Sequence, residues 1–350
     1  MRLKFKLSKE AITEHLSIAQ SSMLSHKERI ARLLSGQDID RLPVSAWNHF
    51  YDQETEAESL AGVMLSFQDE YDWDFMKINP RATYYVEDWG VEMKFGGREN
   101  GKHLRLTSPV KTPEDWLKIK PLDINSGAYG QQLQATEYIK RAVDSRLHFF
   151  QTVFSPLSVA ADLAESDDAF ITLMTKGTNL ESALEAVTRT LESYVERLMK
   201  IGVTGVFFAT TEWASRKNIS EEEYLHYGEP YDLRVLAKAR GAEINILHVC
   251  MEQNMLPLFK KYPFDILSWN KFDPGNLDFA QADKIFSQPF LGGVDHLKTL
   301  IKGSPGEVTA QAHESINEAG SHPLVVAPGC TMKLGTKPEN IRALRESVLE

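Results

Sequence analysis

Glu243-Ile244-Asn245-Ile246-Leu247-His248-Val249-Cys250 is mostly apolar and ends on a histidine and a cysteine two residues apart. A short run that is continuous, not alternating, reads as a parallel strand buried on both faces. Seven comparable runs recur, at 42–47, 74–78, 148–154, 203–209, 264–269, 289–294 and 323–327. Helical patterns lie between them, for example at 131–146, 179–199, 221–240, 252–262 and 305–319. Eight strand candidates with intervening helices predict an α/β fold, a (β/α)8 TIM barrel. A doubly wound open sheet is the competing architecture, but no glycine-rich phosphate loop follows the first strand.

Two segments fall outside the repeat. Residues 8–37 read as helices, so an N-terminal helical extension is expected over 1–40. Residues 83–110 read as a β-hairpin inserted after the second strand. Its pieces are Tyr84-Tyr85-Val86, Val91-Glu92-Met93-Lys94-Phe95, a Gly96-Gly97 turn and His103-Leu104-Arg105-Leu106. No low-complexity linker interrupts the chain, so residues 1–350 are expected to form one domain.

The 350 residues are 42% hydrophobic and 25% charged, as in ordinary water-soluble proteins. The net charge of −10 argues against nucleic acid as the main partner, which usually leaves a basic footprint. Met1-Arg2-Leu3-Lys4-Phe5-Lys6 is basic but lacks the apolar stretch of a signal peptide. No run approaches the ~20 apolar residues of a membrane span. A cytoplasmic location without membrane association is therefore expected, and with it reduced cysteines.

Only two cysteines occur, Cys250 and Cys330, the latter in Ala327-Pro328-Gly329-Cys330. With His248 they form a soft imidazole/thiolate set suited to Zn2+, three protein ligands leaving a fourth position for water or substrate. The bland alternative is two small buried hydrophobes, a common fate of free cysteine. Residues two apart in a strand share a face. His248 and Cys250 can thus both project into the mouth of a barrel, where such active sites lie. Cys330 closes the eighth strand, which is not adjacent, and must reach in on the Pro328-Gly329 turn, where glycine permits unusual backbone.

Other strand ends offer further candidates. Asn48 and His49 follow the first strand, Asn79 and Arg81 the second, Glu212 and Trp213 the fourth, Asp295 and His296 the seventh. His49 suits substrate contact or proton relay, or is simply a polar loop histidine. Glu212 could be a fourth ligand or a hydrogen-bond partner, or an acid favoured at a helix start. Asp295 could line the site or cap the next helix. Arg81 could hold a substrate carboxylate or sulfonate, or form a surface ion pair. His103, His148, His226, His313 and His322 show no ligand spacing.

The order of elements resembles the uroporphyrinogen decarboxylase superfamily, from Arg41-Leu42-Pro43-Val44 to Gly329-Cys330. The hairpin, the strand 202–209 and Pro289-Phe290-Leu291-Gly292-Gly293-Val294-Asp295 sit where that superfamily has counterparts. It has a metal-free decarboxylase branch and a zinc methyltransferase branch that includes methylcobamide:coenzyme M methyltransferases. Decarboxylases carry Arg-Gln-Ala-Gly-Arg after the first strand to bind substrate carboxylates. Here the stretch is Asn48-His49-Phe50-Tyr51-Asp52. An aspartate that meets the pyrrole nitrogens has no clear counterpart near Lys77-Ile78-Asn79-Pro80, and their Gly-His-Gly near the last strand is Gly329-Cys330-Thr331. The methyltransferase branch uses His-x-Cys and a distant cysteine as zinc ligands, which His248, Cys250 and Cys330 match. Two departures stand out. Met251 replaces the glycine common after His-x-Cys, and Asn270 stands where cobalamin-independent methionine synthases place a glutamate ligand.

The resemblance implies a zinc-dependent methyltransferase moving a methyl group between a corrinoid (cobamide), held by a separate carrier protein, and a small thiol or methylated donor. His49, Glu212 and Asp295 are the catalytic candidates, and Asn79 and Asn270 the cofactor-binding ones. Two thiolates and a neutral histidine leave a zinc site without net charge, and an added substrate thiolate makes it anionic. A porphyrinogen-type decarboxylase and a non-catalytic barrel with structural zinc are the alternatives.

Overall fold

The architecture follows from a two-residue alternation inside nearly continuous apolar strands. One parity of each strand faces the sheet's own interior and the other faces the surrounding helices. The computed structural model describes residues 23–96, 103–143, 145–176 and 179–349. Its strands, in chain order, are β1 (Phe75–Ile78), β2 (Met93–Lys94), β3 (Leu104–Arg105), β4 (His148–Phe154), β5 (Gly205–Thr210), β6 (Ile246–Val249), β7 (Ile266–Ser268), β8 (Phe290–Val294) and β9 (Leu324–Pro328). Seven of these form one parallel sheet in the order β1-β4-β5-β6-β7-β8-β9, and β2 pairs antiparallel with β3. The sheet curls as in a TIM barrel.

The expected first strand, 42–47, is not a regular strand. It makes a single parallel bridge, Val44 to Val326. Pro43 has no N–H to continue a ladder. The segment still touches both edges of the sheet. Val326 N donates to Pro43 O at 2.9 Å, Ser45 N to Val326 O at 3.0 Å, and Asp74 N to Val44 O at 2.9 Å. The buried Asp74 carboxylate holds this seam. It accepts from Arg29 Nη1 at 2.5 Å, Arg41 Nη1 at 2.6 Å and Val44 N at 2.8 Å, and lies 3.0 Å from His26 Nδ1.

Other expectations shift in detail. Of the N-terminal extension, His26–Leu34 is helical, Ser25 capping it by accepting from Glu28 N; residues 1–22 lie outside the described residues. Tyr84-Tyr85-Val86 is not a strand but part of a short helix, Tyr84–Glu87. The hairpin is reduced to the two-residue pairs Met93–Arg105 and Lys94–Leu104. The helical pattern 221–240 is two helices, Glu221–Tyr227 and Glu229–Ala237, broken at Gly228, and 252–262 contributes only a 3-10 segment, Leu256–Lys261. The last long helix matches its pattern, Pro305–Ala319, started by a Ser304/Glu307 capping box.

The core divides in two. A large outer cluster packs strands against helices, with Phe149, Val153, Phe208, Leu247 and Phe290 among its members. A smaller one contains Trp47 together with Phe75, Phe207, Ile246, Ile266, Leu291 and Val325, the last six being the inward parity of the strands. This inner cluster plugs the ring from below. Two residues further along each strand come Lys77, Ala209, His248, Ser268, Gly293 and Ala327, and that layer begins the site.

Candidate metal centre

His248, Cys250 and Cys330 converge. Their ligand atoms all lie within 4.8 Å of one another, and among the described residues theirs is the only such cluster of histidine, cysteine or acidic groups. The two sulfurs are 3.8 Å apart. Tetrahedral Zn–S bonds of ~2.3 Å would place two sulfurs ~3.8 Å from each other, whereas a disulfide needs ~2.05 Å. His248 Nδ1 is 3.0 Å from Ser268 Oγ, its register partner across β6 and β7. Its Nε2 is buried and has no partner. An orphaned imidazole nitrogen beside two thiols fits a metal ion of this type. The hydrogen bond from Cys250, with His248 nearby, holds the Cys330 thiol well below its usual range, and the same contact, with burial, pushes Cys250 up.

Cys330 reaches the set as expected, though its glycine serves another purpose. A Cβ on Gly329 would lie 2.6 Å from Asn270 Cγ and 2.8 Å from Asn270 Cβ. Gly329 is required by close approach rather than by a left-handed backbone. Met251, immediately after Cys250, does adopt the left-handed region, at φ 68°. Glycine is at ease there and methionine is strained.

The three residues form part of the wall of a cavity of about 450 Å³, within the usual range for small-molecule sites. His49, Asn79 and Glu212 also line it. Asn270 and Asp295 do not. Asn270 packs under Gly329, its Oδ1 accepting from Phe272 N at 3.3 Å. The Asp295 carboxylate closes its own turn, accepting from Leu297 N at 2.8 Å and Lys298 N at 3.2 Å. Arg81 is neither at the surface nor in the cavity wall. It forms a buried two-pronged pair with Glu87, both contacts 2.8 Å, and also bonds Gln131.

Sequence reasoning missed three polar residues here. Lys77 lines the cavity from β1, and burial pulls its ammonium down to about 7 against the opposing influence of Cys330 and Cys250. His103 lines it from the hairpin and lies 3.0 Å from a fully buried carboxylate, Glu54, which His49 approaches from the other side at 3.1 Å. Tyr51 stacks on His49, ring centroids 5.0 Å apart. His296, a strand-end candidate from the sequence, lies outside the cavity wall as a buried imidazole whose Nδ1 has no partner. Inward parity would have found Lys77, since it follows the apolar Phe75 by two. Nothing in the local spacing marks His103, whose partner is 49 residues away.

Residues 25–350 match the uroporphyrinogen decarboxylase (URO-D) family. The chain belongs to that family. Among its relatives is the methylcobamide:CoM methyltransferase MtbA of Methanosarcina acetivorans, 21% identical over 336 residues, covering 91% of this chain and 96% of the relative. A methyltransferase from Methanosarcina mazei has the same fold, with TM-score 0.80, 21% identity and coverage of 93% of this chain and 98% of that one. A B12-independent methionine synthase from Shewanella sp. W3-18-1 is more distant, with TM-score 0.53, 13% identity and coverage of 87% and 96%. No helix among the described residues is long and apolar enough to cross a membrane.

Proposed function

We propose that this URO-D family protein is a zinc-dependent methyltransferase. It would move a methyl group between a corrinoid held by a partner protein and a small thiol or methylated donor. The observation that carries the reading is the meeting of His248, Cys250 and Cys330 at the cavity wall with His248 Nε2 left unpartnered. The similarity to a methylcobamide:CoM methyltransferase supports it.

A bound Zn2+ would supply a Lewis acid able to hold a thiol as its thiolate near neutral pH. The chain's own groups do the rest. Ser268 fixes the His248 ring so that Nε2 stays free for the metal. Asn79 holds the Lys77 ammonium at 2.5 Å. His49 and Glu212 line the space a substrate would fill, and His49, backed by Glu54, is placed to contact it or relay a proton. Asp295 and Asn270 act from behind the wall, Asp295 on the turn that carries His296 and Asn270 as a spacer under Gly329. Exposed apolar side chains favour a docked carrier. Met251, Leu297 and Leu334 follow the ends of β6, β8 and β9, and Phe95 and Leu106 flank the hairpin.

A decarboxylase acting on a porphyrinogen's several carboxylates is disfavoured. Among the described residues the one arginine lining the cavity, Arg105, is tied to Asp162 at 2.8 Å.

The test is methyl transfer between free cobalamin, as surrogate carrier, and panels of small thiols, methoxyaromatics and methylamines, followed in the visible spectrum. Turnover should need about one zinc per chain and vanish in His248→Ala, while uroporphyrinogen should keep all its acetate groups. A wild-type protein that takes up no zinc and transfers no methyl group would refute the reading.

A further inference from the structure

Lys77 is the least expected residue in the ring. It projects from β1 on the inward parity, between Phe75 below and Asn79 above, and is only 4% exposed. Its ammonium donates a hydrogen bond to Asn79 Oδ1 at 2.5 Å. Among the described residues no carboxylate is paired with it. Its other near neighbours are the rings of Phe207, 4.7 Å from Nζ, and Trp47, at 5.5 Å. Ring faces attract a cation but do not replace an anion. A buried ammonium without a counter-charge is unfavourable, and a leucine or methionine would fill the same space without that penalty. The position makes sense only if an anion comes to it.

The fold offers the cysteines, whose charges act on Lys77 in the order Cys330, then Cys250. In a zinc site those charges are already spent. Two thiolates balance Zn2+ and the imidazole is neutral, so the centre itself offers Lys77 no counter-charge, and an ammonium there needs an anion that a ligand brings.

We propose that Lys77 is the counter-charge for an anionic fourth ligand at the His248–Cys250–Cys330 centre, selecting a thiolate over a neutral group. The inference rests on the zinc reading above and specifies it. An incoming thiol loses its proton to solvent and brings one negative charge. With Lys77 the assembly then sums to zero, where otherwise it would be a buried anion. Lys77 does not touch the reacting methyl group. It is a positioning and specificity-determining residue.

The test uses cobalt(II) in place of zinc, because its visible bands report ligands directly and no turnover is needed. Full-length wild type, Lys77→Met and Lys77→Gln are loaded with cobalt and titrated with ethanethiol, 3-mercaptopropionate and imidazole. All three proteins should show the same bands before titration. Ethanethiol should bind roughly ten- to a hundredfold more weakly to both variants, the effect of removing a nearby opposite charge from a buried anion. Imidazole, being neutral, should bind within about twofold of wild type, since no charge interaction is lost. Equal weakening of ethanethiol and imidazole would mean a disturbed pocket and overturn the proposal. So would unchanged ethanethiol binding. Weakening confined to 3-mercaptopropionate would make Lys77 a receptor for a substrate's anionic tail, which also overturns it. Absence of cobalt bands from the wild type would overturn the metal reading itself, a different failure from any of these.

Discussion

Ser268→Ala removes a protein group that holds a candidate ligand in place. Ser268 is fully buried, and its Oγ sits 3.0 Å from His248 Nδ1 across the β6–β7 register. Removing the hydroxyl has two separable effects. The first concerns the protein without metal. His248 would then have both ring nitrogens buried and unpaired, since Nε2 has no partner already. Leaving one buried polar group unpaired costs about 1–3 kcal/mol, so thermal unfolding should move down by a few degrees. The second concerns the metal. Loss of a hydrogen bond that orients a ligating histidine lowers metal affinity about 10- to 100-fold, or ~1.4–2.7 kcal/mol. Competition against a chromophoric chelator measures the affinity, and differential scanning fluorimetry of stripped protein measures the stability. A His248→Ala background completes the cycle. There Ser268→Ala should have almost no effect on residual zinc binding, because the group it orients is gone. If Ser268→Ala lowers stability yet leaves zinc affinity within about threefold of wild type, well short of the expected loss, then Ser268 is only a core residue and His248 is not held for a metal.

Two further outcomes follow from other parts of the molecule. Hydrogen bonds to Asp72 and then Asp74 raise His26 to about 9, while Asp74, whose burial is outweighed by His26 and Arg41, is lowered to about 2. The His26 contribution is complete below its ordinary value near 6.5 and is lost as pH rises through 9; that of Asp74 is complete above 3.8 and is lost as pH falls through 2. Stability from this seam should therefore be flat between these ordinary values, and Asp74→Asn should reduce the acid limb, to which Asp40 and Asp72 also contribute, and lower stability at neutral pH by about 3 kcal/mol, checked by urea unfolding at several pH values. Gly329→Ala should force Asn270 aside, displace Cys330, reduce zinc affinity and destabilise by about 1–3 kcal/mol; unchanged values in both measurements would show that the close approach is not a constraint.

The sequence made the ring legible because strands buried on both faces are written as unbroken apolar runs, and seven of the eight runs became sheet strands. The eighth, 42–47, looks identical in composition, but Pro43 limits it to one bridge and a few backbone bonds, a difference of hydrogen bonding rather than hydrophobicity. Tyr84-Tyr85-Val86 misled in the other direction. Aromatic and branched residues favour strands, yet here Tyr84 packs edge-on against Tyr85 and Tyr129 and donates its hydroxyl to Thr152 O, contacts made from a helical turn. Tyr129 and Thr152 are distant in sequence, so no local pattern announces them. His103 and Glu54 were hidden for the same reason.

The site obeys a simpler rule than the list of its residues suggests. Each strand carries the same inward column, and chemistry starts one step above the apolar plug. Phe75 leads to Lys77 and Asn79, Ile246 to His248 and Cys250, Ile266 to Ser268 and Asn270, and Val325 to Ala327 and Gly329. The middle layer supplies the imidazole, the hydroxyl that orients it and the ammonium; the layer above supplies Cys250, the amides and the glycine that admits Cys330. Asn270 belongs to that upper layer, but its side chain is spent against Gly329 and Phe272 N. An Asn270→Glu side chain would therefore meet Gly329 before it met the His248–Cys250–Cys330 set. The neutral residue at this position is thus explained by packing behind Cys330, and the charge that distinguishes this centre is supplied instead from across the ring, by Lys77.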